Sequence, residues 1–245
     1  MPDFVELWVY LSATPLFGLT ATLVAYLLSQ AVYTRLGQAP WANPVFWTVL
    51  VLAALLTATG VSYPTYFAGA QFIHFLLGPA VVALAWPLWQ RRTELRRRWA
   101  RLLLASLAGG LVASLSAIGL GWALGLPEAV LLSMAPKLVT APVAMGIADK
   151  TGGIPALAAV FSVMTGLTGA LAGKYLFDAL RIPTAGEGWR VRGFALGASS
   201  HGIGAARALQ VNADAGAYAG LGLGLQAVLV ALWMPLLLQG MRALW

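Results

Sequence analysis

The sequence predicts an all-α polytopic membrane protein with about six full spans and two broken helical hairpins. Three observations favour this fold class: 60% of the 245 residues are hydrophobic, only 9% are charged, and the mean hydropathy is +0.81. A soluble domain has about one-quarter charged residues, so lipid is the expected solvent for most of this chain. Because a helix needs roughly 20 apolar residues to cross the hydrocarbon, we expect one transmembrane domain over residues 1–245.

Basic residues are concentrated in a few loops, and their positions predict the topology. The net charge is +7, and six of the fifteen Lys and Arg residues fall within residues 90–101. Because positively charged loops stay in the cytoplasm, we expect this Arg loop inside and the acidic N-terminus, with Asp3 and Glu6, outside. The acidic start also predicts a retained first helix and not a cleaved signal peptide. The cations do not form an aromatic-interleaved face, so nucleic acid is not an expected partner.

Uncharged runs define the spans in the first half of the chain. Residues 1–89 form a predicted scaffold of three spans, with Gly60 and Pro64 separating the second from the third. Pro15 is a candidate kink in span one. Tryptophans near the span ends are expected to anchor the helices at the lipid interface. The spans are residues 7–34, two within residues 36–90, and residues 102–127, and the anchors are Trp41, Trp47, Trp86, Trp89 and Trp99.

The second half predicts two units, each an interrupted segment followed by an apolar helix. Proline and glycine interrupt residues 128–151 and 192–210, whereas residues 151–173 and 215–241 are clean apolar runs. If the basic loop around Arg181 is cytoplasmic, the first segment must enter the membrane and return to the outer side. The second segment then enters from inside, which predicts two re-entrant hairpins of an inverted repeat. The alternative is broken helices that cross the membrane, with one loop violating the charge rule.

Lys137 is the centre of the first candidate site, because Pro136 and Pro142 bracket it in the middle of an interrupted segment. A lysine at the centre of a membrane helix costs about 2.5–3.5 kcal/mol, so we expect it to face water, a partner or an anion. Backbone N–H groups that proline frees, with a helix N-terminus, add to an anion site. Thr140 contributes a hydroxyl. The alternative is a lysine that snorkels near a helix end.

The second candidate site lies in the segment GASSHGIGAAR, which begins at Gly197. Ser199 and Ser200 offer hydroxyl donors, His201 can carry a proton near neutral pH, and Arg207 can bind a carboxylate bidentately if the segment bends back. Sliding the first interrupted segment by 64 residues pairs Pro136 with Ser200 and Lys137 with His201. The alternative reading is a set of helix-packing glycines around one satisfied buried histidine.

Three further polar residues are secondary candidates. His74 precedes Gly78-Pro79, which predicts a kink in span three, and one hydrogen bond to a neighbouring helix would satisfy its imidazole. Asp149 and Asp214 each follow an interrupted segment. We interpret both as caps or turn formers that could also pair with a basic residue of the opposite hairpin.

The sequence contains no pattern that predicts an enzyme, a cofactor or a metal site. It has no cysteine, and it lacks the G-x-S-x-G elbow, the H-E-x-x-H zinc pair and the G-x-x-x-x-G-K-[ST] nucleotide loop. Adjacent side chains such as Ser200 and His201 diverge, so they do not form a serine–histidine pair of a hydrolase. We therefore expect no catalytic residue.

Four segments resemble the LrgB/CidB family of bacterial membrane proteins, whose relatives include the plastid glycolate/glycerate transporter. They are FLLGPAVVALAWPL at residues 75–88, PKLVTAPVAMGI at 136–147, GGIP at 152–155 and RGFALGASSHGIGAARA at 192–208. The resemblance extends from about Tyr63 onward, and the first 60 residues match in character and length only. Ala198 and Ser199 stand where threonine or glycine would also fit the family pattern.

The resemblance implies two competing functions at the bacterial inner membrane. One is secondary transport of small hydroxy- or keto-monocarboxylates of the glycolate, glycerate or pyruvate class. The other is a holin-like or antiholin-like role in murein hydrolase export and cell lysis. The polar residues favour transport, in which Lys137 and Arg207 neutralise the carboxylate while residues 102–245 move against spans one to three in an elevator or rocking fashion. Proton coupling, a homodimer and a smaller LrgA/CidA-type membrane subunit are the associated expectations.

Overall fold

The computed structural model describes residues 15–76, 79, 89 and 92–241, and every regular element in these residues is helical. The chain consists of two compact units, Met1–Leu84 and Ala85–Trp245. In chain order the helices are α1 (Pro15–Arg35), a short 3-10 helix (Pro40–Ala42), α2 (Pro44–Thr59), α3 (Tyr63–Phe75), α4 (Arg92–Ala123), α5 (Glu128–Met134), α6 (Ala141–Thr151), α7 (Pro155–Ala179), α8 (Glu187–Val211) and α9 (Ala213–Met241).

Four of these helices are long and apolar enough to cross a membrane: α1, α4, α7 and α9. They also carry large apolar side chains on their outer surfaces. Leu120 of α4 is 67% exposed and Leu236 of α9 is 70% exposed, which suits contact with lipid chains and not with water. The predicted class of helical membrane protein is confirmed for the described residues, whereas six spans and an inverted repeat stay predictions.

The first unit packs α2 and α3 against α1. Thr22 of α1 is 2.7 Å from the Tyr66 hydroxyl of α3, and a Cβ on Gly18 would overlap the Tyr66 carbonyl, so the two backbones lie very close. Asn43 caps α2 by accepting hydrogen bonds from the N–H groups of Val45 and Phe46, at 3.0 and 3.2 Å.

Some sequence-based expectations fall on residues outside the described part of the chain. They are the acidic N-terminus with Asp3 and Glu6, the kink at Gly78-Pro79, of which Gly78 lies outside, and the Trp86 anchor. His74 lies in α3, but its side chain is outside the described part as well.

Residues 90–101 differ from the loop that the sequence predicts, because the chain is helical from Arg92 onward. The segment is rich in arginine, and arginine favours helix nearly as well as leucine does. At 1.5 Å per residue the 32 residues of α4 span about 48 Å, which exceeds the roughly 30 Å hydrocarbon thickness. The Arg-rich turns can therefore be helical and still reach the aqueous side.

Residues 128–151 form a helical hairpin, which we call hairpin one. Its first limb runs alongside α7 in the same direction: Ser133 accepts a 2.7 Å hydrogen bond from the N–H of Ile154 at the start of α7. Further along both segments, Ser162 of α7 donates to the carbonyl of Val139 at 2.5 Å. The chain then reverses at Thr140, and α6 returns to Gly153, where an added Cβ would lie 3.0 Å from the Ser133 nitrogen.

Residues 187–211 form hairpin two, because the backbone of α8 breaks at Ser200 (φ −127°, ψ 16°) and His201 (φ 41°, ψ −135°). A Cβ on Gly204 would lie 2.5 Å from the Leu196 carbonyl oxygen. Eight residues of continuous helix would separate those positions by about 12 Å. Residues 187–199 and 202–211 are therefore two limbs that turn back on each other.

Glycine permits α9 to pack on the first limb of hairpin two at backbone contact. A Cβ on Gly193 would overlap the Ala215 carbonyl, and a Cβ on Gly197 would overlap the Ala219 carbonyl. Both pairs are 22 residues apart in sequence, so the limb and α9 run in the same direction.

The two hairpins point in opposite directions along α7. Residues 133 to 139 advance with α7, whereas in hairpin two Leu196 lies beside Gly173 and His201 lies beside Gly166, so its first limb advances against α7. The turns fall at Thr140 and His201, and their separation is 201 − 140 = 61 residues, not the 64 of the sequence comparison. The conformation of the two turns sets this 61-residue separation, and a comparison of residue types along the sequence does not predict it.

Ion pairs hold the start of α4 and the base of hairpin two at the same end of the second unit. Arg98 binds Glu187 through both carboxylate oxygens, with 2.9 Å between Nη2 and Oε1, and Arg190 binds the same carboxylate at 2.6 Å. The hydrogen bond from Arg98 holds the pKa of Glu187 below its usual value. The two basic segments that the charge rule assigns to the cytoplasm are thus neighbours.

Candidate functional site

The tips of the two hairpins meet at one residue of α7, Ser162. Its hydroxyl donates to the Val139 carbonyl at the tip of hairpin one, at 2.5 Å. Its carbonyl oxygen lies 2.8 Å from Nε2 of His201 at the tip of hairpin two. A carbonyl only accepts, so Nε2 carries the hydrogen in this contact. Ser162 is fully buried, and it joins both tips in the interior of the second unit.

A stripe of small residues on α7 makes room for hairpin two. Ser162, Gly166, Gly169 and Gly173 follow the i, i+4, i+7, i+11 spacing of one helix face. A Cβ on Gly166 would lie 2.7 Å from the His201 ring, and a Cβ on Gly169 would overlap the Ser200 hydroxyl. The close approach of the tip to α7 therefore requires glycine at both positions.

His201 has a backbone conformation that is rare outside glycine, with φ 41°. Its side chain is 4% exposed and that of Ser200 is 2% exposed. Such strain persists only where the surroundings hold the residue in place, and the hydrogen bond to Ser162 does so here. Strained backbone, burial and an ionisable ring coincide at this tip.

The other predicted site residues lie either at a hairpin tip or on a limb a few residues away from it. Thr140 is half-buried at the tip of hairpin one, and its side chain makes no capping bond to α6. Pro136 is fully buried and Lys137 is half-buried on the incoming limb, one turn before the tip. Ser199 is exposed, donates to the Ala195 carbonyl at 2.8 Å and lies 3.2 Å from the Ser200 hydroxyl.

Arg207 is buried on the return limb of hairpin two, six residues after His201 and so about 9 Å along a helix. Ser200, His201 and Thr140 are therefore tip residues, whereas Lys137 and Arg207 belong to the limbs. Joint participation of the two cations in one anion site stays a prediction.

The two secondary aspartates lie away from the tips. Asp214, at the start of α9, is 3.7 Å from Nε of Arg190 at the base of hairpin two, so its ion pair is with the adjacent hairpin two and not with hairpin one. The cap of α9 is Asn212, which accepts from the N–H groups of Asp214 and Ala215 at 2.9 and 3.1 Å. Asp149 is exposed near the end of α6.

A cavity of about 470 Å³ borders the tips within the second unit. It reaches Leu138 of hairpin one, Gly169 of α7 and Ser199 of hairpin two, and α4 and α9 complete its wall. Apart from Thr168, Ser199 and Gln226, the described residues that line it are apolar or glycine. Across the described residues, no group of three or more His, Asp or Glu side chains could hold a metal ion.

Two residues of this region, Ser162 and Gln226, are absent from the sequence-based predictions. Each is one polar side chain in a long apolar helix, which by itself is ordinary. The spacing of Ser162 with three glycines was the available signal for the first. For Gln226 the signal was an amide in the middle of a 29-residue apolar helix.

Comparison with known proteins decides the family. The model of the LrgB-like family matches residues 22–239, which is most of the chain and includes both hairpins. The chain belongs to the LrgB-like family. The resemblance seen in the four sequence segments is thereby confirmed.

Relatives of this LrgB-like chain align over nearly their whole length. It is 34% identical to "Uncharacterized protein YxaC" of Bacillus subtilis over 215 residues, covering 88% of this chain and 91% of the relative. It is 28% identical to "Holin-like protein CidB" of Staphylococcus aureus over 218 residues, covering 89% and 93%. No solved structure matches. Family and helices together identify a multi-pass bacterial membrane protein.

Proposed function

We propose that the chain is a secondary transporter of small hydroxy- or keto-monocarboxylates, of the glycolate, glycerate or pyruvate class. The observation that supports it is the meeting of two opposed hairpin tips at Ser162, beside a cavity. Interrupted membrane segments that meet in this way are where transporters bind solutes, because broken helices expose backbone groups and polar side chains at depth.

The substrate anion would lie between the hairpins. Lys137 and Arg207 supply the positive charge that offsets the carboxylate, since uncompensated charges in the membrane interior are costly. Thr140, Ser199 and Ser200 supply hydroxyls, and Pro136 orients the incoming limb. His201 donates a hydrogen bond or carries a coupled proton. We propose no enzymatic step and no cofactor.

Alternating access follows from release of one tip at a time. In this proposal hairpin one, which enters from the outer side, and hairpin two, which enters from the cytoplasm, form an inverted repeat and act as the two gates. The hairpin-bearing half moves relative to spans one to three, in an elevator or rocking fashion. A homodimer and an LrgA/CidA-type membrane subunit are the proposed assembly partners.

A holin-like function is the second candidate, and the name of the Staphylococcus aureus relative favours it. A holin-like protein would release molecules much larger than a three-carbon acid. The buried polar residues at the hairpin tips favour a small-solute site instead, because a wide aqueous pore has no need to keep them dehydrated.

Uptake by proteoliposomes tests the proposal. Lys137→Ala and Arg207→Ala should each lower uptake of labelled glycolate or pyruvate at least tenfold, because the carboxylate loses a compensating charge. Lys150→Ala and Arg101→Ala, which change exposed cations, are the matched controls and should retain uptake.

Size-dependent leakage separates the two candidates. Vesicles containing the wild-type protein should retain an entrapped dye of about 600 Da while they take up glycolate. Dye release without saturable uptake would overturn the transport proposal in favour of a holin-like pore, and normal uptake in both Lys137→Ala and Arg207→Ala would remove the proposed anion site.

A further inference from the structure

We propose that Gln226 selects the substrate: its carboxamide hydrogen-bonds the hydroxyl or keto oxygen that distinguishes the preferred acids from unsubstituted ones. This inference rests on the proposed transport function and names a residue and a chemical distinction within it. Gln226 lies on α9, in the wall of the cavity that borders the hairpin tips.

The carboxamide of Gln226 is buried and lacks hydrogen-bond partners among the described residues. The residue is 1% exposed, and neither Oε1 nor Nε2 has a hydrogen-bond partner in the described part of the chain. Buried polar groups in native proteins are almost always hydrogen-bonded, because a dehydrated amide without a partner is unfavourable. Both amide atoms have almost no accessible surface, so a substituent that enters the cavity would meet them through a change of the Gln226 side-chain rotamer.

The described lining of the cavity offers neutral polar groups and no charge. Its polar side chains are Thr168, Ser199 and Gln226, and none of the Lys, Arg, His, Asp or Glu residues that the structure describes lines it. A carboxylate would be poorly stabilised there, whereas a hydroxyl or keto group would be well stabilised. The glutamine amide can donate to a keto oxygen and can both donate to and accept from a hydroxyl.

The position of the cavity would place the two ends of the substrate in different environments, one charged and one neutral. Leu138, which lines it, is adjacent in sequence to Lys137, and the hydroxyl of Ser199, which also lines it, is 3.2 Å from that of Ser200. The carboxylate would face the tips while the substituted carbon extends into the cavity. About 470 Å³ is ample for a two- or three-carbon acid.

Gly110 of α4 fixes where the carboxamide lies. A Cβ there would overlap Nε2 of Gln226 and would come within 3.4 Å of the Trp233 ring. Gly110 itself lines the cavity. The absence of a side chain at this position therefore leaves the space that the amide occupies.

The experiment compares acids that differ by one substituent. In proteoliposomes that take up labelled glycolate, competition by unlabelled glycolate and acetate gives a selectivity ratio, as does competition by lactate and propionate. We expect wild type to favour the hydroxy acids at least tenfold. Gln226→Leu, which keeps the volume but removes the amide, should reduce that ratio at least fivefold, while Gln226→Asn should give an intermediate ratio.

A control separates selection from structure. Ser106→Ala removes another buried, unpartnered polar group of the second unit that does not line the cavity, and it should leave the ratio unchanged. Gln226→Leu should keep its melting temperature in detergent, because it removes an unsatisfied polar group. A merely structural glutamine would instead lose stability and would lose uptake of all acids in proportion.

The outcomes distinguish the two proposals. Wild-type uptake together with an unchanged ratio in Gln226→Leu overturns the role of Gln226 and leaves transport intact. Wild-type protein that takes up none of the acids and shows no thermal shift with any of them overturns the transport function itself, and the selection proposal with it.

Discussion

Ser162 contacts the tips of both hairpins. Its hydroxyl donates to Val139 of hairpin one and also lies 3.3 Å from Nε2 of His201, while its backbone carbonyl accepts the shorter, 2.8 Å hydrogen bond from that ring nitrogen of hairpin two. Both bonds are buried, where a hydrogen bond that is broken is not readily replaced by water. One small residue therefore contributes to the position of both tips.

Replacing Ser162 with alanine should weaken hairpin one more than hairpin two, because hairpin two keeps its shorter hydrogen bond to the Ser162 carbonyl. The Val139 carbonyl loses its donor, which costs about 1–3 kcal/mol for a buried acceptor. We expect a lower melting temperature and faster proteolysis near residues 136–142, with a smaller change near residues 198–204, where only the 3.3 Å contact between the hydroxyl and His201 is lost. Ser116→Ala, at an exposed position of α4, is the control. Equal destabilisation of both tips would contradict this separation.

At the level of single residues, the sequence predicts a special role only for residues whose side chains are unusual in a membrane. A lysine between prolines and a histidine among glycines are conspicuous, and His201 does lie at a hairpin tip. Ser162 and Gln226 were not predicted, because the glycine spacing and the lone amide that mark them are weak signals, and their importance comes from what faces them across helices. Serine and glutamine are tolerated at many positions of membrane helices, whereas an unpaired charge is not.

Hairpin two and α9 illustrate packing through glycine. Gly193 and Gly197 lie against backbone carbonyls of α9, where a larger residue would force the helices apart. Membrane helices lack a hydrophobic driving force between them, so such close van der Waals approach is a main source of their association.

Gly197→Ala should therefore be strongly destabilising. Its Cβ would overlap the Ala219 carbonyl, and overpacking of this kind costs about 1–3 kcal/mol. Gly224→Ala on α9 is the matched control, because a Cβ there meets no atom within 4 Å, and it should be neutral or slightly stabilising. The comparison is a thermal melt of the two variants in detergent. Equal melting temperatures would show that α9 does not constrain the limb.

At the level of elements, interruptions by proline and glycine predicted where helices break, and the breaks fall near Thr140 and His201. The helical conformation of residues 92–101 was not predicted, because charge density marks an aqueous location but does not specify the backbone. The 61-residue separation of the tips also depends on turn geometry, which the identities of small residues do not encode.

The molecule as a whole has its basic segments at one end of the second unit. Arg98 and Arg190 share the Glu187 carboxylate, and α4 is one continuous helix, so Ala123 and the start of hairpin one lie at the other end. This arrangement agrees with a cytoplasmic location for both basic segments under the positive-inside rule.

Cysteine labelling can test this orientation directly, because the natural sequence has no cysteine. Thr184→Cys, in the loop before hairpin two, should react with a membrane-impermeant maleimide only after the cells are permeabilised. Leu124→Cys, which is exposed just beyond α4, should react in intact bacterial spheroplasts. Labelling of both from the same side would exclude opposite entry of the two hairpins.

The side-chain and backbone contacts of Ser162 also differ in how a mutation can remove them. A change of side chain at position 162 can erase the tie to Val139, but every amino acid placed there still presents a main-chain oxygen to His201. A single substitution at position 162 can therefore remove the hydrogen bond to Val139 and the 3.3 Å hydroxyl contact with His201. The hydrogen bond between the carbonyl and the imidazole is lost only when His201 is replaced or α7 moves.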